Sequence, residues 1–361
     1  MHEPLRPDIA AIIAAISPLD TAAIAAARAR QEQLTKPAGS LGRLELLAIQ
    51  IAGITSQEQP VVANKAIVVM AGDHGVTAEG ISAYPAEVTP QMVLNFLRGG
   101  AAINALAGVV GARVVVVDIG VASPLEHPGL LSRKVAIGTA NMAQGPAMTR
   151  DQAEEAIAVG IAIADSLARD GVRMVATGEM GIGNTTAASA ITAVLTGSSP
   201  AEVTGRGTGI DDAQLAHKIA VIERALATNT PNRDDGLDVL AKVGGLEIGG
   251  LVGVILGGAA HHMPIVLDGF IAGSAALVAE KLSPQARDYL IAGHISVERG
   301  HRVLLESLGL QPLLDLDLRL GEGTGAALAM GIIDGALTAH RQMATFAEAG
   351  VSERDESGSK E

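Results

Sequence analysis

The spacing of hydrophobic and polar residues differs between the two ends of the chain and its middle. Residues 9–31 carry Ala and Ile at helical intervals, and Ser17-Pro18 predicts a break between two helices. A further helix is predicted from Leu41, and an Ala-rich one after Gly325. Both ends of the chain are therefore predicted to be helical.

Between these helices the pattern changes to short apolar runs, each followed by a glycine and a stretch of helical length. Several runs are apolar throughout, which is typical of strands that are covered on both faces. Strands that alternate with helices favour β-α-β units, and so an α/β fold with a doubly wound parallel sheet. The predicted strands are residues 66–71, 114–119, 133–137, 174–177, 252–256 and 265–268.

This change of pattern also predicts a division into two domains. Residues 1–60 and 331–361 are expected to form a small helical domain, and residues 61–330 a large α/β domain. The polar tail, residues 351–361, is predicted to be disordered.

The mean hydropathy of +0.34 raises the question of a membrane span. The most apolar run, residues 248–260, predicts a buried strand or core helix, because a spanning helix needs roughly 20 apolar residues. Glu3, Arg6 and Asp8 precede the first apolar stretch, unlike the layout of a secretory signal. The sequence therefore predicts a cytoplasmic protein without a membrane partner.

Composition excludes several classes of function. With 26 Lys and Arg against 39 Asp and Glu, the formal net charge is −13, which argues against a nucleic-acid partner. There is no Trp, and 3 Phe and 2 Tyr give few platforms for stacked bases. Cys is absent, which excludes disulfides, thiolate zinc sites, iron–sulfur clusters and cysteine nucleophiles.

Polar and glycine-rich segments follow several of the predicted strands. Ligands of open α/β sheets bind beyond the carboxyl ends of the strands, so these segments form the candidate site. They are residues 72–76, 178–186, 268–270 and 321–326.

The segment 178–186 has the features of a phosphate-binding turn. Gly181 and Gly183 let backbone N–H groups approach an anion, and Asn184 and Thr185 begin the following helix. The segment lacks the Lys of a Walker loop. A glycine-rich turn with a Thr cap, without a ligand, explains the same residues.

Glu322 stands between Gly321 and Gly323, after a predicted strand end. Partial desolvation there would raise the carboxyl pKa towards that of a weak nitrogen base, which suits a general base. The alternative is a Glu near a helix start that interacts with the helix dipole.

His294, Glu298 and His301 are spaced for one helix face, if their segment is helical. Because a fourth ligand is missing, a hydrogen-bonded structural or interface cluster is favoured over a metal site. Asp211 is predicted to cap the helix that carries Lys218. No metal site is predicted.

Several motifs together resemble those of the nicotinate-nucleotide–dimethylbenzimidazole phosphoribosyltransferases. They occur in order over most of the chain, which makes the resemblance far more specific than one glycine-rich loop. The matching segments are KPAGSLGRLE (36–45), MAGDHGV (70–76), ISAYPAEVTPQMV (81–93), GEMGIGNTTAASA (178–190), GRGTGIDD (205–212), LDGFI (267–271), GHISVERGH (293–301) and LRLGEGTGAALA (318–329).

The resemblance implies transfer of the phosphoribosyl group of nicotinate mononucleotide to 5,6-dimethylbenzimidazole, in nucleotide-loop assembly of cobalamin. The products are α-ribazole 5′-phosphate and nicotinate, with inversion at the anomeric carbon. It also implies a Rossmann-like sheet with a small helical domain built from both termini. No cofactor is implied, and such enzymes are homodimers whose active site takes in the neighbour's small domain.

The resemblance further assigns residues to roles. Glu322 is implied as the base that removes the benzimidazole N–H proton. Contacts to the benzimidazole fall on Ser82, Gln91 and Leu320, and contacts to phosphate and ribose on Glu179, Gly181, Gly183, Asn184, Lys218, Asp268 and Ser296.

Two other functions are compatible with parts of the sequence. The run VVVVDIG (114–120) and the C-terminal glycines suggest an NAD-dependent oxidoreductase, but the first strand ends in AGDHGV, without the G-x-G-x-x-G fingerprint. A phosphate-binding turn alone would also serve a non-catalytic nucleotide-binding protein. Two carboxylates near strand ends, Glu179 and Glu322, favour catalysis.

Overall fold

The computed structural model describes residues 5–207 and 209–352, so the tail predicted to be disordered lies, from residue 353, outside the described residues. The strands are β1 (Lys65–Gly72), β2 (Ala112–Gly120), β3 (Leu130–Ser132), β4 (Met174–Met180), β5 (Ile265–Leu267), β6 (Leu290–Ala292), β7 (His294–Ile295) and β8 (Leu314–Asp315). The helices are α1 (Pro7–Ala15), α2 (Thr21–Gln33), α3 (Arg43–Thr55), α4 (Val88–Leu97), α5 (Ala102–Val109), α6 (Arg150–Arg169), α7 (Asn184–Thr196), α8 (Pro200–Val203), α9 (Asp212–Asn229), α10 (Gly236–Val243), α11 (Leu246–Ala260), α12 (Phe270–Leu282), α13 (Arg299–Leu308), α14 (Thr324–Gln342) and α15 (Phe346–Ala349).

A parallel sheet in the order β3-β2-β1-β4-β5-β6 forms the centre of the fold. The chain runs from β1 outward to β2 and β3, and then returns to β4 on the other side of β1. Parallel strands are joined by crossover connections, which in such sheets are as a rule right-handed. The predicted Rossmann-like, doubly wound α/β fold is confirmed. A separate parallel pair joins β7 and β8.

The central strands are covered on both faces, which explains their continuous apolar runs. Every residue of β1 after Lys65 is buried. Within the sheet, Val68 pairs with Val115 of β2 on one side and with Thr177 of β4 on the other. The carboxyl ends of β1 and β4 therefore lie side by side.

The predicted terminal helices are present, and two predicted strands are wrong. Residues 252–256 lie inside α11, which is buried almost all round, so its sequence shows no helical period. Residues 133–137 follow the edge strand β3 instead of forming one, although Arg133 and Val135 still donate backbone hydrogen bonds to the end of β2. Strands β3, β6, β7 and β8 are not among the predicted strands.

Helices α6 and α11 pack with their backbones in near contact. A Cβ atom on Gly253 would lie 2.0 Å from the carbonyl oxygen of Ile157, and one on Gly160 would lie 1.9 Å from that of Gly250. Glycine is therefore required at both positions for this packing. Helix α11 also packs against β1, β2 and β4, and so fixes α6 relative to the sheet.

The chain divides into two compact units. The larger is formed by the residues up to Ser17 and by Ala63–Met330, and the smaller by Pro18–Val62 and the residues from Gly331. Within the larger unit, α1 packs against α6 and α11. The domain boundary expected at residue 60 stays a prediction.

Contacts inside the smaller unit join residues that are far apart in sequence. Nε of Arg30 donates to the carbonyl oxygen of His340 at 2.8 Å. Leu34 and Thr345 form an antiparallel bridge. Helix α2 therefore packs against residues from the C-terminal part of the chain.

Candidate active site

The carboxyl ends of four adjacent strands bring charged residues to one edge of the sheet. His74 follows β1, Glu179 lies near the end of β4, Asp268 follows β5, and His294 lies just beyond β6. All four residues are buried. This edge includes the point between β1 and β4 where the strand order reverses, which is where ligands of such sheets bind.

Asp268 holds the loop that carries Glu322. Its Oδ1 accepts hydrogen bonds from the backbone N–H groups of Gly325, at 2.8 Å, and Ala326, at 3.2 Å. Its Oδ2 accepts one from Gly323, at 3.1 Å. The predicted role of Asp268 is a phosphate or ribose contact, but in the structure both carboxylate oxygens bind the start of α14.

The backbone of Glu322 is left-handed, with a φ of +64°, between two glycines that also have positive φ. The loop passes close to β4, since a Cβ atom on Gly178 would lie 2.4 Å from the carbonyl oxygen of Glu322. Oε2 of Glu322 accepts a hydrogen bond from the backbone N–H of Ile103 at 3.3 Å. The carboxylate therefore faces the first turn of α5, although Glu322 precedes α14 in sequence.

Both Glu side chains of the site bind protons more tightly than a free carboxylate. Burial raises the pKa of Glu322; a backbone hydrogen bond opposes this, and the charge of Asp268 adds to it. Burial also raises the pKa of Glu179 well above its ordinary value, and Asp268 and Glu247 add to this by charge. Nδ2 of Asn184 donates to Glu179 Oε2 and partly opposes the rise. A raised carboxyl pKa is what a general base working near neutral pH needs.

The turn from Met180 to Asn184 lies where the strand order reverses. Gly183 has a φ of +94° and is the N-cap of α7, whose first residue is Asn184. A Cβ atom on Gly181 would lie 2.3 Å from the carbonyl oxygen of Gly72. The end of β1 therefore requires the glycine at 181, whatever ligand is bound. The N-terminus of α7, where the positive end of the helix dipole lies, follows this turn directly.

Lys218 is buried on α9, the helix that Asp211 caps as predicted. Its Nζ donates to Oγ1 of Thr185, in the first turn of α7, at 2.8 Å. Burial lowers the pKa of Lys218 to about 8, and the charge of Glu298 partly opposes this. A cation beside the N-terminus of a helix suits an anionic group such as a phosphate.

A cavity of about 430 Å³ opens next to Glu298, whose Oε1 accepts a hydrogen bond from the backbone N–H of Gly207 at 2.8 Å. Arg206, Arg299 and Arg319 are among its lining residues. The cavity is therefore locally positive, although the protein as a whole carries a net negative charge. A positive cavity attracts anions.

The histidine cluster does not form one helix face. His294 lies in β7, Glu298 precedes α13, and His301 lies inside α13. The backbone N–H of Ser296 donates to Nδ1 of His301 at 2.8 Å, and burial with the nearby His294 lowers the pKa of His301 to about 3. The ring of His301 is therefore neutral. In the part of the chain that the structure describes, no group of three or more His, Asp or Glu side chains is arranged to hold a metal ion.

The three residues expected to contact the benzimidazole are less buried. Oγ of Ser82 accepts a backbone hydrogen bond at 3.2 Å, Gln91 is exposed on α4, and Leu320 is 57% exposed. Helix α4 is joined to the turn at the end of β4, because the backbone N–H of Ile182 donates to Oγ1 of Thr89 at 3.1 Å.

One buried pair at this edge is not among the predicted site residues. Nε2 of His74 lies 2.6 Å from Oε1 of Glu247, and both side chains are almost wholly buried. His74 belongs to a candidate segment, but nothing local indicates its partner. The sequence does mark Glu247 as unusual, since it is the single charged residue between Lys242 and His261, in a run that is otherwise apolar or glycine.

One segment of the described residues, Val88–Val109, is long and apolar enough by composition to cross a membrane. In the structure a turn divides it into α4, of 10 residues, and α5, of 8 residues. Each is shorter than the roughly 20 residues that span a bilayer.

Comparison with known proteins gives consistent matches. Residues 16–351 match the family model described as phosphoribosyltransferase. A nicotinate-nucleotide–dimethylbenzimidazole phosphoribosyltransferase from Chloroflexus aggregans is 66% identical over 342 residues, which cover 94% of this chain and 97% of that protein. A protein of the same name from Desulforudis audaxviator is 59% identical over 339 residues, covering 94% and 96%.

A solved structure agrees as well. The crystal structure of nicotinate-nucleotide–dimethylbenzimidazole phosphoribosyltransferase from Thermus thermophilus matches with a TM-score of 0.89 at 51% identity, and covers 93% of this chain and 100% of that one. None of these matches supports an NAD-dependent oxidoreductase or a non-catalytic nucleotide-binding protein. The chain belongs to the nicotinate-nucleotide–dimethylbenzimidazole phosphoribosyltransferase family.

Proposed function

We propose that this protein transfers the phosphoribosyl group of nicotinate mononucleotide to 5,6-dimethylbenzimidazole, with α-ribazole 5′-phosphate and nicotinate as products. The relatives from Chloroflexus and Desulforudis carry the name of this activity. The observation that carries the proposal is the buried carboxylate of Glu322, with its raised pKa, on a loop held by Asp268. The product serves the assembly of the nucleotide loop of cobalamin.

Glu322 acts as the base for the acceptor. One ring nitrogen of dimethylbenzimidazole attacks C1′ of the ribose, and positive charge develops on the ring as the new C–N bond forms. The N–H proton on the other ring nitrogen becomes acidic and passes to the carboxylate of Glu322. The neutral benzimidazole ring of the product is restored by this transfer.

The donor carries its own leaving group. The bond from C1′ to the pyridinium nitrogen breaks, its electron pair goes to that nitrogen, and nicotinate leaves with an uncharged ring. Attack from the opposite face inverts C1′ and gives the α-configuration. Positive charge develops on C1′ meanwhile. The cationic pyridinium of the bound donor and this developing charge favour the ionised form of Glu179, whose carboxylate stabilises them.

The other predicted residues bind the substrates. Lys218 and the N-terminus of α7 hold the phosphate, supported by the burial of the Lys218 cation and its hydrogen bond to Thr185. The full set proposed for phosphate and ribose is Glu179, Gly181, Gly183, Asn184, Lys218, Asp268 and Ser296, and that for the benzimidazole is Ser82, Gln91 and Leu320.

A homodimer in the cytoplasm is the proposed assembly. The motifs shared with the family support this proposal, because the active site of such enzymes takes in the neighbour's small domain. Light scattering should give twice the chain mass of 36.5 kDa. A mass of one chain under assay conditions would contradict the dimer.

The direct test is an assay of purified protein with nicotinate mononucleotide and dimethylbenzimidazole in the presence of EDTA, followed by chromatography. We expect α-ribazole 5′-phosphate and nicotinate in equal amounts. Metal is not needed to neutralise the leaving group, since no pyrophosphate departs. Unreacted substrates, with the nucleotide still bound in calorimetry, would contradict the proposed reaction.

A further inference from the structure

The buried pair of His74 and Glu247 lies beside the proposed active site. His74 follows β1, and Glu247 lies in the first turn of α11. Nε2 of His74 is 2.6 Å from Oε1 of Glu247, and the side chains are 1% and 0% exposed. Burial alone lowers the pKa of His74, but the charge and hydrogen bond of Glu247, with the charge of Asp73, raise it above its ordinary value. The pair with Glu247 therefore favours the imidazolium form of His74 more than an unpaired buried histidine would.

The imidazole of His74 lies between two glycine-containing turns. A Cβ atom on Gly245 would lie 2.4 Å from Cε1 of His74, and one on Gly181 would lie 3.4 Å from Cδ2 and Nε2. A Cβ atom on Gly183 would lie 3.5 Å from Cβ of His74. The ring therefore supports the turn at the end of β4 on one side and the start of α11 on the other.

Glu247 also acts on Glu179 through its charge. The groups whose charges raise the pKa of Glu179, besides its burial, are Asp268, Glu247 and Glu322, which are all acidic. Oε2 of Glu247 has no hydrogen-bond partner among the described residues, and its Oε1 is bound by His74. His74 is thus the cation that offsets the charge of Glu247.

We propose that His74 and Glu247 are a charge-balanced positioning pair for the phosphoribosyl transfer. The imidazolium supports the turn at Gly181 and Gly183. It also offsets part of the charge of Glu247, which would otherwise disfavour the ionised form of Glu179 more strongly. The pair does not touch the substrate. This proposal rests on the proposed function, in which the ionised Glu179 stabilises the developing charge on C1′.

Three variants test the pair by activity: His74→Gln, Glu247→Gln and the double variant with both changes. His74→Gln leaves Glu247 without a cation, so kcat/KM should fall by about 100-fold, and the acid limb of its pH profile should move up by about one unit. The double variant replaces the ion pair by two amides and removes the excess charge. We expect its kcat/KM to return to within about tenfold of the wild type, and its acid limb to return as well.

His261→Gln is the matched control. His261 pairs with Asp165 at the same distance of 2.6 Å, at the other end of α11, but both side chains are more than a third exposed. The control should leave kcat/KM and the pH profile unchanged. If His74→Gln behaves like this control, or if the double variant is as impaired as His74→Gln with an unmoved acid limb, the charge-balance proposal is wrong.

An NMR titration tests the pair without any turnover. In protein with labelled histidine, the His74 signal, assigned by its loss in His74→Gln or by its shift in Glu247→Gln, should titrate above the ordinary pKa of about 6.5. In Glu247→Gln the signal should titrate below that value, because burial then outweighs the remaining charge of Asp73. A wild-type His74 that is neutral at pH 6 overturns the pair.

The two tests separate failure of this inference from failure of the proposed function. If the wild type makes no α-ribazole 5′-phosphate, the proposed function is wrong. The NMR titration would still show whether His74 and Glu247 form an ion pair. If His74→Gln does not fold, as thermal denaturation would show, Glu247→Gln and the wild-type titration still decide it.

Discussion

The two halves of the proposed active site differ in how firmly the protein holds them. On the phosphoribosyl side, each key side chain is buried and already bound to another group of the protein. Asp268 accepts three backbone hydrogen bonds, Glu179 accepts one from Asn184, and Lys218 donates to Thr185. These positions are set before any substrate arrives, as electrostatic stabilisation of a transition state requires.

On the benzimidazole side, the protein gives little such support. Gln91 is exposed, Leu320 is 57% exposed, and Ser82 is only partly buried. An apolar, flat acceptor is bound mainly through contact area and shape, and single contacts of that kind contribute little. From this contrast we expect the rate to depend on the buried half and the choice of acceptor on the exposed half. Substitutions in the two halves should therefore differ in size and in the kinetic constant that they change.

The largest effect is expected for Glu322→Gln, because Glu322 is buried like the phosphoribosyl side, although the proton that it takes comes from the benzimidazole. The amide cannot take the benzimidazole proton, so kcat should fall by about two to four orders of magnitude, the range for loss of a general base. Steady-state kinetics with both substrates measures this. Glu306→Gln, an exposed Glu on α13, is the control and should keep wild-type kcat. A kcat for Glu322→Gln within about tenfold of the wild type would remove Glu322 from the role of base.

Asp268→Asn should affect stability as well as activity. An amide cannot accept all three hydrogen bonds from the loop, so the free energy of unfolding should fall by about 2 kcal/mol. Urea denaturation measures this, with Asp165→Asn on the surface as control. An unchanged midpoint and slope would show that the loop at Glu322 does not depend on Asp268.

Lys218→Met should mainly weaken binding of the nucleotide. Methionine keeps much of the side-chain volume but loses the cation, so KM for nicotinate mononucleotide should rise by about tenfold with kcat little changed. In the wild type, the charged form of Lys218 exists below its pKa of about 8. KM for the nucleotide should therefore rise as the pH increases through this value.

In Lys218→Met, KM for the nucleotide should no longer rise at alkaline pH, because methionine does not titrate. That result would assign the rise in the wild type to Lys218. The same variant should leave KM for dimethylbenzimidazole unchanged. A rise in both KM values would place Lys218 in a general structural role instead of phosphate binding.

The smallest effects are expected in the exposed half. Leu320→Ala and Gln91→Ala should each raise KM for dimethylbenzimidazole by about threefold, since each removes one partly solvated contact. The free energy of unfolding should not change. Competition between dimethylbenzimidazole and unsubstituted benzimidazole measures the accompanying loss of selectivity. If either variant lost as much activity as Glu322→Gln, the proposed difference between the two halves would be wrong.

The sheet could be predicted because its strands and turns carry local signals. Residues 66–71 and 114–119 are apolar runs closed by glycine or polar residues, and both lie within observed strands. The run at 252–256 has the same composition, yet it lies in α11. A helix buried almost all round has no polar face, so its sequence shows no period that separates it from a buried strand.

The candidate site, like the sheet, could be predicted only where its residues are close together in the sequence. Glu322 and the turn around Gly181 can be found in the sequence, because their glycines and polar residues are adjacent along the chain. The role of Asp268 in holding the loop cannot, since its partners lie more than 50 residues away and are backbone groups. The partner of His74 lies 173 residues away, on another helix. Such contacts exist only after the strands are assembled.

The left-handed backbone of Glu322 has a consequence for how this protein can evolve. A residue with a side chain is less stable in that conformation than glycine by roughly 1 kcal/mol. Selection for heat resistance alone would therefore favour Glu322→Gly, which relaxes the loop and removes the proposed base in the same step. With Glu322 as the proposed base, the fold gives up stability at this position in exchange for turnover.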